Sequence, residues 1–395
     1  MTSKDINIYV EQHRQEAIDF LVEMLQTPSP TGKEMDVSNV AEKWMKVDDL
    51  PVERHFIDPQ RPNLVAVWEG NSKGPRFLFN GHLDVFPPTE VVGNNRNPWS
   101  GEIIDGSVYA RGSVDMKAGL SAGIMAVKLL KRSGFIPKGT IIVSCDCDEE
   151  QGGLYGVKHL IGKDLLRADF GVCMEASEDC IVVSSDGRIE YKITYTSDSW
   201  HAGTRVDEDD ALRKATRAID RLYAYDQMLK AERYISDKDG GAILSVTKIS
   251  AGTESNMHPT SCTFYLDRRY TNGETVESAT KELQEILDNL KAENPLMDYK
   301  LEIPIASPKL SMDPNHPLIL TCIDAYKDVF GKKIALSHRC AGGDASKITE
   351  AYGFPLPHFG PGKYDQLCTP DEHVEIEDYI GFIKVYMNVV VKLLS

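Results

Sequence analysis

The chain has no apolar stretch near the roughly 20 residues that cross a bilayer, so a transmembrane helix is not expected. It has no excess of basic residues. Lys and Arg number 44 against 60 Asp and Glu, a formal charge of −16, which argues against nucleic acid or an anionic membrane as partner. It lacks disulfide-scaffold spacing: eight cysteines are scattered over 395 residues, which fits a reducing compartment, and a cytoplasmic location is the expectation. The first residues, Met1 to Asn7, lack the apolar core of a signal peptide. No internal repeat or low-complexity tract occurs. Cys145 and Cys147 would share one face of a strand and read as core cysteines.

A length of 395 residues exceeds the ~250–300 that one core usually serves, so two domains are expected. Apolar spacing predicts a first helix over about Ile6 to Gln26, stopped by Pro28-Ser29-Pro30, and another over Ala118 to Leu130. Asn63 to Trp68, Arg76 to Phe79 and the nearly all-apolar Thr140 to Cys145 read as strands, the last suited to the buried centre of a sheet. Alternation of strands and helices predicts an α/β layered domain with active residues at strand ends. After Gly187 the pattern changes. Ile189 to Tyr195 alternates with period two, and the order β-α-β-β-α-β that follows predicts a ferredoxin-like α+β insertion. The expected boundaries are 1–187 and 307–395 for the first domain and 188–306 for the insertion.

Four segments carry candidate chemistry. Gly81-His82-Leu83-Asp84 ends an apolar strand with a histidine and, two residues on, a carboxylate facing the same way, as a metal ligand and its orienting neighbour would. Asp115 sits where a glycine-containing loop enters a helix, as either a cap or a ligand. Asp146, Asp148, Glu149 and Glu150 follow the buried strand at the cost of mutual repulsion, which solvent or a divalent cation would relieve. Val172-Cys173-Met174-Glu175 is another apolar run ending in an acid. Acids from three segments and His82 from a fourth, all at element ends, point to a divalent metal bound through nitrogen and oxygen.

These motifs resemble those of the co-catalytic zinc peptidase family that includes acetylornithine deacetylase, succinyl-diaminopimelate desuccinylase, aminoacylase and glutamate carboxypeptidase. The matching stretches are Gly81-His82-Leu83-Asp84, Arg111 to Gly119, and Asp148-Glu149-Glu150-Gln151-Gly152-Gly153. His201, Asn256-Met257-His258-Pro259, Asp267-Arg268-Arg269 and Phe359 to Gly362 agree, so the resemblance covers nearly the whole chain. It implies a zinc-peptidase-like α/β catalytic domain, a mixed sheet between helices, with an inserted lid that also dimerises. By the same resemblance Asp115 would bridge two Zn²⁺ ions, His82 and Glu175 would hold one, and Glu150 the other; Co²⁺ or Mn²⁺ are alternatives. Asp84 would fix the His82 tautomer and Glu149 would act as general base. His201 would stabilise the oxyanion from the partner subunit. Arg269 or Arg268 would grip a substrate carboxylate, the alternative for both being an edge-strand salt bridge; Asn256 would line the same pocket.

Three departures stand out. Cys368 occupies the position of the family's last histidine ligand. It would be a thiolate ligand, or the second metal would be weak or absent, or His373 would take its place. A hydroxyl-bearing glycine stretch reads Cys340-Ala341-Gly342-Gly343-Asp344, with Gly342 and Gly343 beside the expected pocket. Trp200 precedes His201 where small residues are usual. The sequence therefore predicts a metal-dependent hydrolase of a C–N bond acting on a small carboxylate-bearing substrate, as a homodimer. N-acyl amino acid deacylation is the leading reading, beside a dipeptidase or carboxypeptidase and a member repurposed for a non-peptide C–N bond.

Overall fold

The structure, a computed structural model, describes all residues except 89–95, 178, 199, 207–208, 237–239, 272 and 341 and the side chains of 235–236. Of the stretches read in the sequence, Ser199, Asn272 and Ala341 lie outside the described residues. The chain is a mixed α/β protein. It divides into a first unit, Met1–Val183, Ser311–Ser337 and Gly343–Ser395, and a second, Ser184–Leu310 and His338–Gly342. The segment His338–Gly342 was expected with the first domain. Hydrogen bonds tie it to the second: Asp186 N–H donates to the Arg339 carbonyl, and Arg269 Nη1 to the Cys340 carbonyl.

The first unit opens with two helices, α1 (Ser3–Gln12) and α2 (Arg14–Gln26), where the sequence predicted one. His13 breaks the run, with φ −107° and ψ 13°. A five-stranded sheet follows: β1 (Val52–His55), β2 (Asn63–Glu69), β3 (Ser72–His82), β4 (Lys138–Asp146) and β5 (Phe170–Cys173), in the order β1-β2-β4-β3-β5. β4, β3 and β5 are mutually parallel, with His82 opposite Asp146 and Asn80 opposite Cys173. β1 and β2 run antiparallel. Phe77, Leu78 and Phe79 are consecutive and all buried, as a strand covered on both faces requires. Because three neighbouring strands run the same way, their carboxyl ends, with His82, Asp146 and the residues just past Cys173, open on one edge.

Helix α3 (Lys117–Arg132) is buried along its length through Leu130, far beyond an amphipathic stripe. Its closest approach is at Gly119, where a Cβ would stand 1.8 Å from the Met174 carbonyl oxygen. A side chain there would push away the segment that carries Glu175, so the glycine sets the distance between Glu175 and Asp115 at the head of α3. The C-terminal helix Ile376–Leu394 packs into the same core through Phe382, Tyr386 and Val389.

The second unit follows the β-α-β-β-α-β order: β6 (Gly187–Thr196), α4 (Ala211–Arg233), β7 (Ile243–Ala251), β8 (Ser261–Tyr270), α5 (Val276–Glu293) and β9 (Tyr299–Ser307). The sheet order is β7-β8-β6-β9, all antiparallel. Ile189, Tyr191, Ile193 and Tyr195 alternate inward along β6 and meet Ala215, Ala218 and Leu222 of α4 and Leu283 and Leu287 of α5. No helix among the described residues is long and apolar enough to cross a membrane.

Candidate metal centre

His82 ends β3, Asp115 precedes α3 and Glu175 follows β5. The His82 Nε2 atom lies 3.1 Å from Asp115 Oδ1 and 3.3 Å from Glu175 Oε1. One ligand atom from each of the three falls within 4.8 Å of the others, and no other such group of three occurs among the described residues. Tetrahedral bonds of 2.0–2.1 Å to a common ion put neighbouring ligand atoms about 3.3 Å apart, so these donors fit one divalent cation. His82 Nδ1 lies 2.9 Å from the Asp84 main-chain carbonyl, which can only accept, so Nδ1 carries a proton and Nε2 is the atom turned to the carboxylates, where a bound cation would take the place of its proton. Burial alone would lower the His82 pKa. Asp115 and Glu175 outweigh it and hold the ring well above its usual value, the compensation a bound cation would otherwise supply.

Asp84 faces His82 with both its carboxylate and its main chain. Its carboxylate is 3.7 Å from His82 Nδ1, and its backbone oxygen makes the close contact. The carboxylate also accepts from Thr31 Oγ1 (2.8 Å), Glu149 N (3.1 Å) and Glu150 N (3.4 Å). It fixes the main chain of the two glutamates, a task that a sequence pattern of His-x-Asp does not reveal.

The acidic run separates into distinct duties. Asp146 is buried and accepts from Asn80 Nδ2 and Ser144 Oγ; burial and Asp344 push it up to about 8. Asp148, at φ 68°, pairs with Arg61 at 2.7 Å, and Arg61 also holds Glu34. The Glu149 carboxyl is pushed up to about 8 by burial, with Lys347 opposing and Asp344 adding. Glu150 accepts from Phe86 N at 3.2 Å, and burial with Asp115 nearby pushes it up to about 11. Lys347 Nζ sits 3.9 Å from Glu149 Oε1 and 2.8 Å from Asp344 Oδ1. Gly343 backs onto the same place: a Cβ there would lie 3.4 Å from Glu149 Oε1 and 3.8 Å from Glu175 Oε1.

Glu372, which the sequence did not single out as a site residue, fastens two parts of the site. One oxygen accepts from the N–H groups of Gly112 (3.1 Å), Val114 (2.8 Å) and Asp115 (3.1 Å), and the other from Arg111 Nη1 (2.6 Å). Arg111 Nη2 donates to the Cys368 carbonyl at 3.0 Å. The loop of Asp115 is thereby tied to the loop of Cys368. Cys368 is half-buried at φ 58°; burial and the nearby Asp115 and Glu150 push its thiol up to about 12. Cys368 and Glu150 do not form a comparable close group with Asp115.

A model of the peptidase family M20/M25/M40 matches residues 78–392, well over half of the chain. The chain belongs to this family. This M20 member is a metal-dependent hydrolase of peptide or amide bonds. It is 26% identical over 370 residues to the uncharacterized protein YgeY of Escherichia coli (strain K12), covering 89% of this chain and 88% of that one. It is 26% identical over 287 residues to succinyl-diaminopimelate desuccinylase of Parvibaculum lavamentivorans, covering 70% and 71%. Human carnosine dipeptidase 1 shares the fold at a TM-score of 0.80 and 15% identity, over 100% of this chain and 99% of that one.

The remaining sequence candidates of this M20 chain lie in its second unit. Arg268 is buried. It pairs with Glu274, donates to the Arg269 carbonyl and faces Tyr225, so its contacts are internal to that unit. Arg269 bonds Asp267 through Nε (2.7 Å) and the Cys340 carbonyl through Nη1 (2.8 Å), leaving Nη2 a 3.5 Å contact. Neither arginine is on an edge strand, because β8 lies between β7 and β6. Trp200, His201 and Asn256 are exposed. His201 Nδ1 accepts from Gly203 N–H at 3.1 Å, so the neutral ring carries its proton on Nε2, a donor free to meet an oxyanion. Gly342 ends the second unit where Gly343 resumes the first.

Proposed function

We propose that the chain removes an acyl group from an N-acyl amino acid. The observation that carries this reading is the convergence of His82, Asp115 and Glu175 beside the half-buried Glu149. Its likeness to a desuccinylase, an enzyme named for taking a succinyl group from an amino acid derivative, supports the deacylase over the peptidase reading. His82, Asp115 and Glu175 would hold one cation, and Asp115, Glu150 and Cys368 a second. The donors suit Zn²⁺, Co²⁺ or Mn²⁺, with a Cys368 thiolate favouring zinc. A divalent cation supplies Lewis acidity toward the scissile carbonyl and acidifies water. Glu149 takes the proton of the attacking water and delivers it to the leaving amine, and Lys347 steadies its charge meanwhile. His201 donates from Nε2 to the oxygen of the tetrahedral species, from the partner subunit of a homodimer. Arg269 through Nη2, with Asn256, meets the substrate carboxylate. The exposed Trp200 and the Cys368 substitution favour one second reading, a non-peptide C–N bond.

A panel of N-acetyl and N-succinyl amino acids, dipeptides and ureido acids, run with the zinc-loaded chain, tests both. Release of the acyl acid from N-acyl amino acids supports the first. Turnover of only the ureido compounds replaces it with the second. Metal analysis of wild type and Cys368→Ser tests the ligand set: loss of one zinc equivalent is expected, and unchanged stoichiometry removes Cys368 from it.

A further inference from the structure

We propose that His258 is a positioning residue that fixes the orientation of His201; this rests on the reading that His201 acts in the reaction. Residues 200–204 form a short exposed turn, which by itself would leave a catalytic ring loosely held. The turn is zipped to residues 256–258: Ala202 N–H donates to the Asn256 carbonyl and His258 N–H to the Trp200 carbonyl, both at 2.8 Å, making an antiparallel bridge at His201 and Met257. Thr204 N–H donates to the His201 carbonyl at 2.8 Å and closes the turn.

The His258 ring locks that turn from behind. Nε2 lies 3.2 Å from the Thr204 carbonyl and Nδ1 lies 2.7 Å from Asp210 Oδ2. A carbonyl and a carboxylate both accept, so the ring bridges Thr204 to Asp210 by donating from both nitrogens, the arrangement the latch requires. The other Asp210 oxygen accepts from Arg213 N at 2.9 Å and caps α4. A continuous line of bonds therefore runs from the N-terminus of α4 through Asp210 and His258 to Thr204. In front, Gly203 N–H holds His201 Nδ1, and a Cβ on Gly203 would stand only 3.2 Å from that atom. The latch fixes the turn, the turn aims the Gly203 N–H, and that N–H sets the His201 tautomer with its proton on Nε2. Oxyanion stabilisation needs this donor, and misplacement by about 1 Å costs up to about 10²-fold in rate.

Long-range proton–nitrogen NMR of the zinc-loaded, histidine-labelled chain reads both rings directly. In wild type, His258 is expected doubly protonated and His201 as a single Nε2–H tautomer. His258→Gln removes the charge and the Thr204 bond. Asp210→Asn keeps the helix cap and removes only the counter-charge, so a folded variant is at hand if the first fails to fold. In both, His201 is expected to become a mixture of tautomers. On the substrate found in the panel above, kcat is expected to fall by up to about 10²-fold with KM little changed. A singly protonated His258 in wild type, or an unchanged His201 signal in the folded variants, overturns the latch. If His201→Ala leaves turnover intact, the role of His201 itself fails, an outcome the NMR signals distinguish.

Discussion

The two units make their functional side chains available in opposite ways. In the first, three parallel strands and a helix buried through Leu130 deliver His82, Glu175 and Asp115 out of the core itself. Each is held by groups that are also buried: the Asp84 carbonyl behind His82, Glu372 under Asp115, Met174 against Gly119. In the second unit the core is an ordinary one-sided sheet with helices on one face. His201, Trp200 and Asn256 stand on exposed turns held by a few hydrogen bonds. The first arrangement ties stability to chemistry, because the ligands are part of the folding unit. The second lets a turn be tuned without disturbing the sheet beneath it.

The contrast can be broken or sharpened by substitution, and the largest effect is expected in the first unit. Glu149→Gln should lower kcat by about 10²–10⁴-fold while zinc content is unchanged. Substantial residual turnover would remove Glu149 as the base. Glu372→Ala strands Arg111 and three loop N–H groups, and breaking a buried pair in this way costs about 3–5 kcal/mol. Denaturant titration should show that loss, together with weakened zinc binding. His201→Ala should cost about 10²–10³-fold in kcat with the midpoint of unfolding unmoved. A large fall in stability there would erase the distinction between the units.

The smallest effect concerns pH. Burial holds the carboxyl of Asp84 up to about 6 and that of Glu149 up to about 8 in the folded chain, above their ordinary carboxylate values. Over that window the folded state binds more protons than the unfolded one. The stability of the metal-free protein should therefore fall as pH rises from about 5 to about 8, and zinc should flatten the slope. Thermal melts of chelator-treated and zinc-loaded samples across that range check the sign; a metal-free protein that grows more stable with pH contradicts it.

Much of the first unit was legible because its signals are local. Apolar runs ending in His82 and Glu175, and the acid cluster after Cys145, mark strand ends from neighbouring residues alone, and period-two alternation marks β6. The split at His13 was missed because apolar spacing runs through it while the backbone turns. Glu372 and Lys347 were invisible for a different reason. Their importance lies in partners far along the chain, and an isolated buried acid or lysine carries no motif. Arg268 illustrates the converse: its motif was noticed, but its burial against Glu274 depends on packing within the second unit.

By itself the sequence determined the chemistry on offer, a histidine and several acids at the ends of elements, and the period of each element, because these follow from side-chain identity and spacing. Only the tertiary structure decided what Asp148 and Asp84 meet. It put Asp148 on Arg61 and Asp84 on the backbone of Glu149, whereas the grouping of Asp115 and Glu175 with His82 was already implied by the family resemblance. The physical reason is that a carboxylate's role is set by its nearest charge and its burial, and both come from residues far away in the chain.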